Sequence, residues 1–340
     1  MRISRSPLVA ALLLGAARAF AAPDAVQLLN NVLEPPKTAY RGHLTVTHWF
    51  GKNVVFEEVR VLFDLPNVYR WEFLDPDGAT VTRIVRSNGD VEEVENAKTH
   101  KRYLGEPIRN YQRLMGAEKE RELLLRNYQL STDGEGVMAG RPCWILQITP
   151  KIADKHSQRV WIDQETGVTL QSRRYRPKGI FTTLSRFVSF EPVKDLPDDL
   201  FALDTSSAVQ HGLDPLSMTL EEFKKEYGQE FQPPAELPAG FVFESANHFK
   251  ARDRRERDRE IWHLRYTDGL ATLSLFLTRA PVQRPSGQVL GAETRVAAGV
   301  GLPVMTSAAK VLQWKRGKRH YTLMGDVDRK WLETIAAKIP

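Results

Sequence analysis

The tightest constraint on this chain is an alternation of apolar and polar side chains with a period of two, broken at short intervals by turn-forming residues. Leu44, Val46, His48 and Phe50 alternate with Thr45, Thr47 and Trp49, and Gly51-Lys52-Asn53 turns the chain into a second run from Val54 to Phe63. Tyr69, Trp71 and Phe73 share one face before Asp75-Pro76-Asp77-Gly78, and Val81, Arg83 and Val85 precede Ser87-Asn88-Gly89-Asp90. A polar, helix-favouring stretch from Pro107 to Arg126 interrupts the pattern. Strands resume at Trp144 to Ile148, Arg159 to Ile162, Val168 to Ser172 and Leu184 to Phe190. Repeated hairpins with helices set apart from them predict an α+β fold, a curved antiparallel sheet carrying helices on one face, and argue against a parallel doubly wound sheet.

Residues 205–218 are small and polar and read as a linker between a sheet domain over 22–204 and a smaller α+β domain over 219–340. In the second domain Thr219 and Glu222 can form a capping box over a helix with Leu220, Phe223 and Tyr227 on its apolar stripe. Hairpins follow at Trp262–Leu277 and Leu312–Leu323, and a closing helix aligns Val327, Trp331, Ile335 and Ile339. At the other end, Arg2 and Arg5, an apolar run from Leu8 to Ala17 and Ala19-Phe20-Ala21 are ordered as in a secretory leader, so residues 1–21 are expected to be cleaved near Ala21. The apolar run of roughly ten residues falls short of the about 20 that a spanning helix needs, so a membrane-embedded protein is not expected. Export would permit disulfides, but Cys143 is the sole cysteine and reads as a buried structural thiol, with a reactive thiol as the alternative.

The formal charge of +6 divides unevenly. Residues 22–215 hold 25 basic and 27 acidic side chains, whereas residues 216–340 hold 20 basic and 15 acidic, so the positive field lies in the C-terminal part. Lys315, Arg316, Lys318 and Arg319 bracket a turn at Gly317, with Trp314 and Tyr321 beside them. They read either as a solvated turn or as a contact for an acidic protein or anionic lipid; export argues against nucleic acid.

Hydrolase, kinase and nucleotide-binding spacings are missing from the chain, and Gly299-Val300-Gly301 lacks a third glycine, so neither catalysis nor a cofactor is expected. The histidines are too scattered to predict a metal site. Glu92, Glu93 and Glu95, and Asp163 with Glu165, read as solvated strand edge and turn. Trp49, Phe56, Phe63, Trp71, Phe73, Trp144 and Trp161 all fall on predicted strands. They fill the core between sheet and helices, or they line an apolar groove able to hold acyl chains.

Several short motifs recur in a telling order. Tyr40-Arg41-Gly42 opens the first strand; Ala139-Gly140-Arg141-Pro142 precedes Leu146-Gln147-Ile148-Thr149-Pro150; Arg159-Val160-Trp161-Ile162-Asp163 runs into Thr166-Gly167. Further on come Leu237-Pro238-Ala239-Gly240-Phe241, Tyr266-Thr267-Asp268-Gly269-Leu270-Ala271 and Met324-Gly325-Asp326-Val327. In this order the chain resembles the MucB/RseB family of periplasmic sigma-E regulatory proteins. The resemblance implies an N-terminal half-barrel like that of the lipoprotein carrier LolA and a smaller C-terminal α+β unit. It also implies binding to the periplasmic part of a membrane-spanning anti-sigma factor, protection of that partner from proteolysis, and release by lipid or lipopolysaccharide. A periplasmic lipid or lipoprotein carrier with a C-terminal docking module is the alternative.

Overall fold

In the computed structural model the described residues are 23–50, 53–105, 115–204, 209–210, 218–228, 230–252, 258–278, 310–325 and 327–340. The expected leader, the first part of the Pro107–Arg126 stretch and Gly299-Val300-Gly301 lie outside them.

Alternation produces strands here, and the strands join into two sheets. β1 (Ala39–Phe50) to β6 (Arg102–Gly105) form one meander through β2 (Asn53–Asp64), β3 (Val68–Leu74), β4 (Val81–Asn88) and β5 (Glu92–Asn96). A second meander contains β7 (Tyr128–Met138), β8 (Arg141–Pro150), β9 (Ser157–Asp163), β10 (Thr169–Arg176) and β11 (Ile180–Val193). β11 returns to pair with β1, from Ala39↔Val193 to His48↔Thr183, and zips the two meanders into one curved sheet, which with β12 (Val209–Gln210) has 12 strands. β12, within the expected linker, adds in parallel to the β6 edge. This is the α+β half-barrel expected from the sequence.

Close approach at the zipper requires a glycine. A Cβ on Gly42 would stand 2.6 Å from the Ser189 carbonyl oxygen and 2.7 Å from the Phe187 ring. Beside it Tyr40 stacks on Phe63 at 5.1 Å and meets Phe190 at the same distance. The motif Tyr40-Arg41-Gly42 thus fixes how β1 and β11 meet.

Helices cover one end of the sheet. Asp24 caps α1 (Ala25–Leu33) by accepting from the backbone of Val26 and Gln27. The buried stripe of α1 is Leu28, Leu29, Val32 and Leu33, while Val26 points to solvent. With Leu124 of α2 (Gly116–Asn127) it packs on Trp144, Leu146, Ile148, Val160 and Ile162.

The second sheet runs β13 (Glu236–Leu237), β14 (Phe241–Arg252), β15 (Asp258–Thr267), β16 (Thr272–Thr278), β18 (Arg319–Gly325) and β17 (Lys310–Arg316) in spatial order. Helix α3 (Leu220–Tyr227) carries the expected capping box, and α4 (Arg329–Ala336) is capped by Asp328. Phe223 of α3 and Leu332 and Ile335 of α4 share a core with Leu264, Leu275 and Leu323 of the sheet.

Two expectations fail. Glu92, Glu93 and Glu95 are buried, because β6 and β12 continue the sheet beyond β5 and leave it no solvated edge. Glu93 accepts from Arg86 and from the Asp204 amide, Glu95 accepts from Arg86 at 2.9 Å, and Glu92 accepts from the Tyr69 hydroxyl at 2.5 Å. Asp163 is buried too, because Arg141 binds it through two nitrogens at 2.8 and 2.9 Å and Thr166 donates from its amide and hydroxyl. Cys143 is fully buried, and burial pushes its thiol up to about 12, as a structural thiol requires. Replacing Gly42→Val should overpack the β1–β11 zipper and lower unfolding stability by about 2 kcal/mol, measured as a reduced urea midpoint.

Candidate functional site

The aromatic candidates divide into groups. Phe63, Trp71, Phe73 and Trp161 belong to one buried cluster on the first sheet. Register nevertheless places Trp71 and Trp161 on opposite faces. Trp71 pairs through Val61 with Gly42, whereas Trp161 pairs through Gln171 and Arg186 with Thr45. The guanidinium groups of Arg173 and Arg159 lie over the Trp161 ring at 4.7 and 5.2 Å. Trp144 is packed beneath the helices in a different cluster. Trp49 is half-buried against Phe181, and Phe56 is 55% exposed. The seven residues therefore do not line a common surface.

His48, on the Val46 face of β1, is buried against Thr183 at 3.3 Å. Burial, with Arg174 as a second cause, pulls its imidazole down to about 4. Its folded pKa is below its unfolded value, so this contribution is complete above about pH 6.5 and is lost as the pH falls toward 4.

The basic hairpin has a structural half and a free half. Trp314 and Tyr321 stack at 5.0 Å, and Tyr321 is buried with its hydroxyl on the Pro340 carbonyl. Arg316 donates to the Ile339 carbonyl and Arg319 faces Glu230 at 3.7 Å. Lys315 and Lys318 are exposed.

The most constrained polar group lies where the two sheets meet. Asp268, in the β15–β16 turn, is fully buried. One carboxylate oxygen receives the Tyr128 hydroxyl at 2.8 Å and the Lys155 ammonium at 2.5 Å; the other receives the amides of Leu270 and Ala271 at 2.9 and 2.7 Å. Lys155, itself buried, also donates to the Ala239 carbonyl at 2.8 Å. The Asn127 amide donates to the carbonyls of Gly240 and Asp268 at 3.0 and 2.9 Å. Burial and the neighbouring Asp268 carboxylate hold the Tyr128 phenol well above its usual range, so it stays a donor. Close contact explains both glycines: each has a positive φ, and a Cβ would reach 2.0 Å from Asn127 at Gly240 and 2.9 Å from Leu124 at Gly269. Two motifs of the resemblance, Leu237–Phe241 and Tyr266–Ala271, thus supply one side of this junction.

Beside the junction a cleft of about 490 Å³ separates α2 from α3 and β14. Lys119, Glu122 and Arg126 come from α2, Glu221 from α3, and Val242 and Glu244 from β14. Burial raises the Glu244 carboxyl, which faces Arg265 at 3.4 Å. Such a mixture of charge and apolar surface suits a polypeptide. Among the described residues, no cluster of His, Cys, Asp and Glu could hold a metal, and no helix is long and apolar enough to cross a membrane.

Comparison with known proteins connects this architecture to a family. Residues 52–202, from β2 through the end of the first sheet's meanders, match the MucB/RseB N-terminal domain. This part of the chain is a MucB/RseB domain. A crystal structure of MucB in complex with MucA(peri) superposes at a TM-score of 0.54 with 18% identity, covering 92% of this chain and 97% of that one. Crystalline MucB alone gives 0.53 at 20% identity, over 93% and 97%. The Pseudomonas aeruginosa MucA/MucB complex gives 0.53 at 19% identity, over 92% and 96%. No curated protein matches by sequence. Similarity to MucB in fold therefore extends past the MucB/RseB domain, through the junction and into the second sheet.

Nothing in the spacing of Asn127, Tyr128 and Lys155 marks them as partners of Asp268, since 113 residues separate Lys155 from it. Only the buried lysine beside a buried aspartate identifies the site. Replacing Asp268→Ala should strand the Lys155 charge and cost about 3 to 5 kcal/mol, read as a lower urea midpoint; Lys155→Met added to Asp268→Leu should regain part of that loss. Between pH 6.5 and 4 the first sheet should lose about 3 kcal/mol through His48. Urea titrations across that window should show a shallower pH dependence in His48→Gln.

Proposed function

We propose that this chain is a periplasmic regulator that binds the periplasmic part of a membrane-spanning anti-sigma factor and shields it from the proteases that would degrade it. In this reading residues 1–21 are a leader removed near Ala21, and the mature chain comprises a sheet domain over 22–204 and an α+β domain over 219–340. The observation that carries the reading is the near full-length likeness to MucB in a complex with MucA(peri), which embraces both sheets and not the matched domain alone. The inter-sheet cleft supports it: α2 and β14 present charged and apolar groups to one narrow space, as an extended or helical peptide requires. Lys315 and Lys318, exposed on the hairpin at the other edge of the second sheet, add positive charge that would speed the approach of an acidic partner.

Lipid sensing belongs to the first sheet in this proposal. An acyl chain entering the cluster of Phe63, Trp71 and Phe73 would repack β1 to β4, which belong to the same 12-stranded sheet as the strands that carry the junction and reach them through β11 and β10. Lipid and partner would then oppose each other through one connected body.

The test uses purified mature chain and the periplasmic segment of the anti-sigma factor encoded by the same organism. The two should co-elute as a complex, the segment should resist added protease only while bound, and lipopolysaccharide should free it. Lys315→Glu with Lys318→Glu should weaken the complex by about ten-fold, mainly through slower association. Recovery of lipid with the chain and no binding of any anti-sigma segment would overturn the proposal and favour a lipid carrier.

A further inference from the structure

Among the described residues nine large apolar side chains are exposed, and five of them, Val54, Val55, Phe56, Ile180 and Phe181, stand on two hairpin tips. The tips are neighbours. β1 pairs with β11 as far as His48↔Thr183, and beyond that pair Trp49 meets Phe181 at 5.5 Å, which in turn meets Tyr175 at 4.6 Å. Val54, Val55 and Phe56 are consecutive, so successive side chains point to opposite faces of β2. All three are nonetheless exposed, with Val54 and Phe56 at 56% and 55%. Here the hairpin offers apolar side chains to solvent on both faces, unlike the rest of β2, where Val59, Val61 and Phe63 are buried. Contiguous apolar surface of this kind marks a contact.

Charge identifies what the contact is with. From Thr169 to Phe190 the chain holds Arg173, Arg174, Arg176, Lys178 and Arg186 and no carboxylate. Lys178 is exposed at the turn, held in the left-handed region at φ 66°. Arg173 extends over Trp161 and reaches within 6.0 Å of the Phe181 ring. On the β2 side the carboxylates after Phe56, Glu57 and Glu58, face Arg83 and His43 at 3.8 Å, so Lys178 at the turn and Arg173 beside Phe181 give the apolar tip a cationic collar. This fits an anionic bilayer, whose boundary region takes the apolar groups while phosphates meet the cations. It does not suit a second copy of this chain, since a face-to-face pair would bring the two cationic collars together.

We propose that the β1–β2 and β10–β11 tips dock the protein on an anionic lipid bilayer. This surface is separate from the aromatic cluster and from the inter-sheet cleft, so it stands independently of the anti-sigma reading.

Co-sedimentation of the full mature chain with vesicles tests it. Vesicles of phosphatidylcholine containing phosphatidylglycerol should bind the chain, phosphatidylcholine alone should bind it far more weakly, and added salt should reduce the difference. Phe56→Ser with Phe181→Ser should lower partitioning by about ten-fold, and Lys178→Glu by about five-fold. Neither change should alter affinity for the anti-sigma segment, because these side chains lie away from the cleft. Lys178→Glu should also leave the thermal midpoint unchanged, whereas the double serine variant should lower it slightly through the lost contacts of Phe181 with Trp49 and Tyr175. Equal sedimentation of wild type and the Phe56→Ser/Phe181→Ser variant would overturn the proposal, as would the absence of binding to phosphatidylglycerol vesicles. A wild-type dimer that this variant dissociates would assign the tips to self-association instead. Loss of binding to the segment with vesicle binding retained would make them a protein interface.

Discussion

The buried carboxylate of Asp268 determines how the two halves of this molecule are arranged. An aspartate without solvent is tolerated only if charge and hydrogen-bonding capacity are both met. Here the turn's own amides meet part of the demand, and Tyr128 and Lys155 of the first sheet meet the rest. Neither sheet can withdraw without leaving a buried ion unpaired. Asn127 adds two hydrogen bonds across the same boundary, and Leu270 packs against the cluster under α1 and α2. A polar centre enclosed by apolar contacts gives this interface a single register, where a purely apolar one could slide.

From that arrangement follows the cleft. α2 ends at Asn127, one residue before Tyr128, so the helix whose Lys119 and Arg126 line one wall is tethered directly to the polar centre. The opposite wall begins on β14, directly after the Pro238–Gly240 turn whose carbonyls accept from Lys155 and Asn127. Both walls are therefore anchored by one cluster, and a ligand that disturbs either strand system acts on the geometry of the cleft. The proposed antagonism between lipid and partner runs from β1 through β11 and β10 to this cluster.

Much of the fold could be read from the residues. Alternation located β2, β3 and β8 to β10, and Thr219 with Glu222 located α3, because those signals are local. β5 and β7 escaped for physical reasons. The three glutamates of β5 imitate a solvated edge, and only the partners Arg86 and Tyr69, brought by other strands, make their burial possible. β7 is mostly exposed, so it lacks an apolar stripe to reveal it. The aromatic candidates were legible as strand residues but not as a surface: whether Trp71 and Trp161 share a face depends on the register across β1, β11, β10 and β9. The junction was legible only as motifs. Gly240 and Gly269 stood out in the sequence, while the side chains of Asn127 and Leu124 that require them did not.

The central claim is that the two sheets form one cooperative body, held at Asp268. Scanning calorimetry of the mature chain at neutral pH tests it most directly. A single endotherm whose van't Hoff enthalpy equals the calorimetric enthalpy is the expected result, because neither sheet is stable in its arrangement without the other. Two resolved transitions, or a van't Hoff enthalpy near half the calorimetric value, would show that the sheets unfold independently and would contradict the claim.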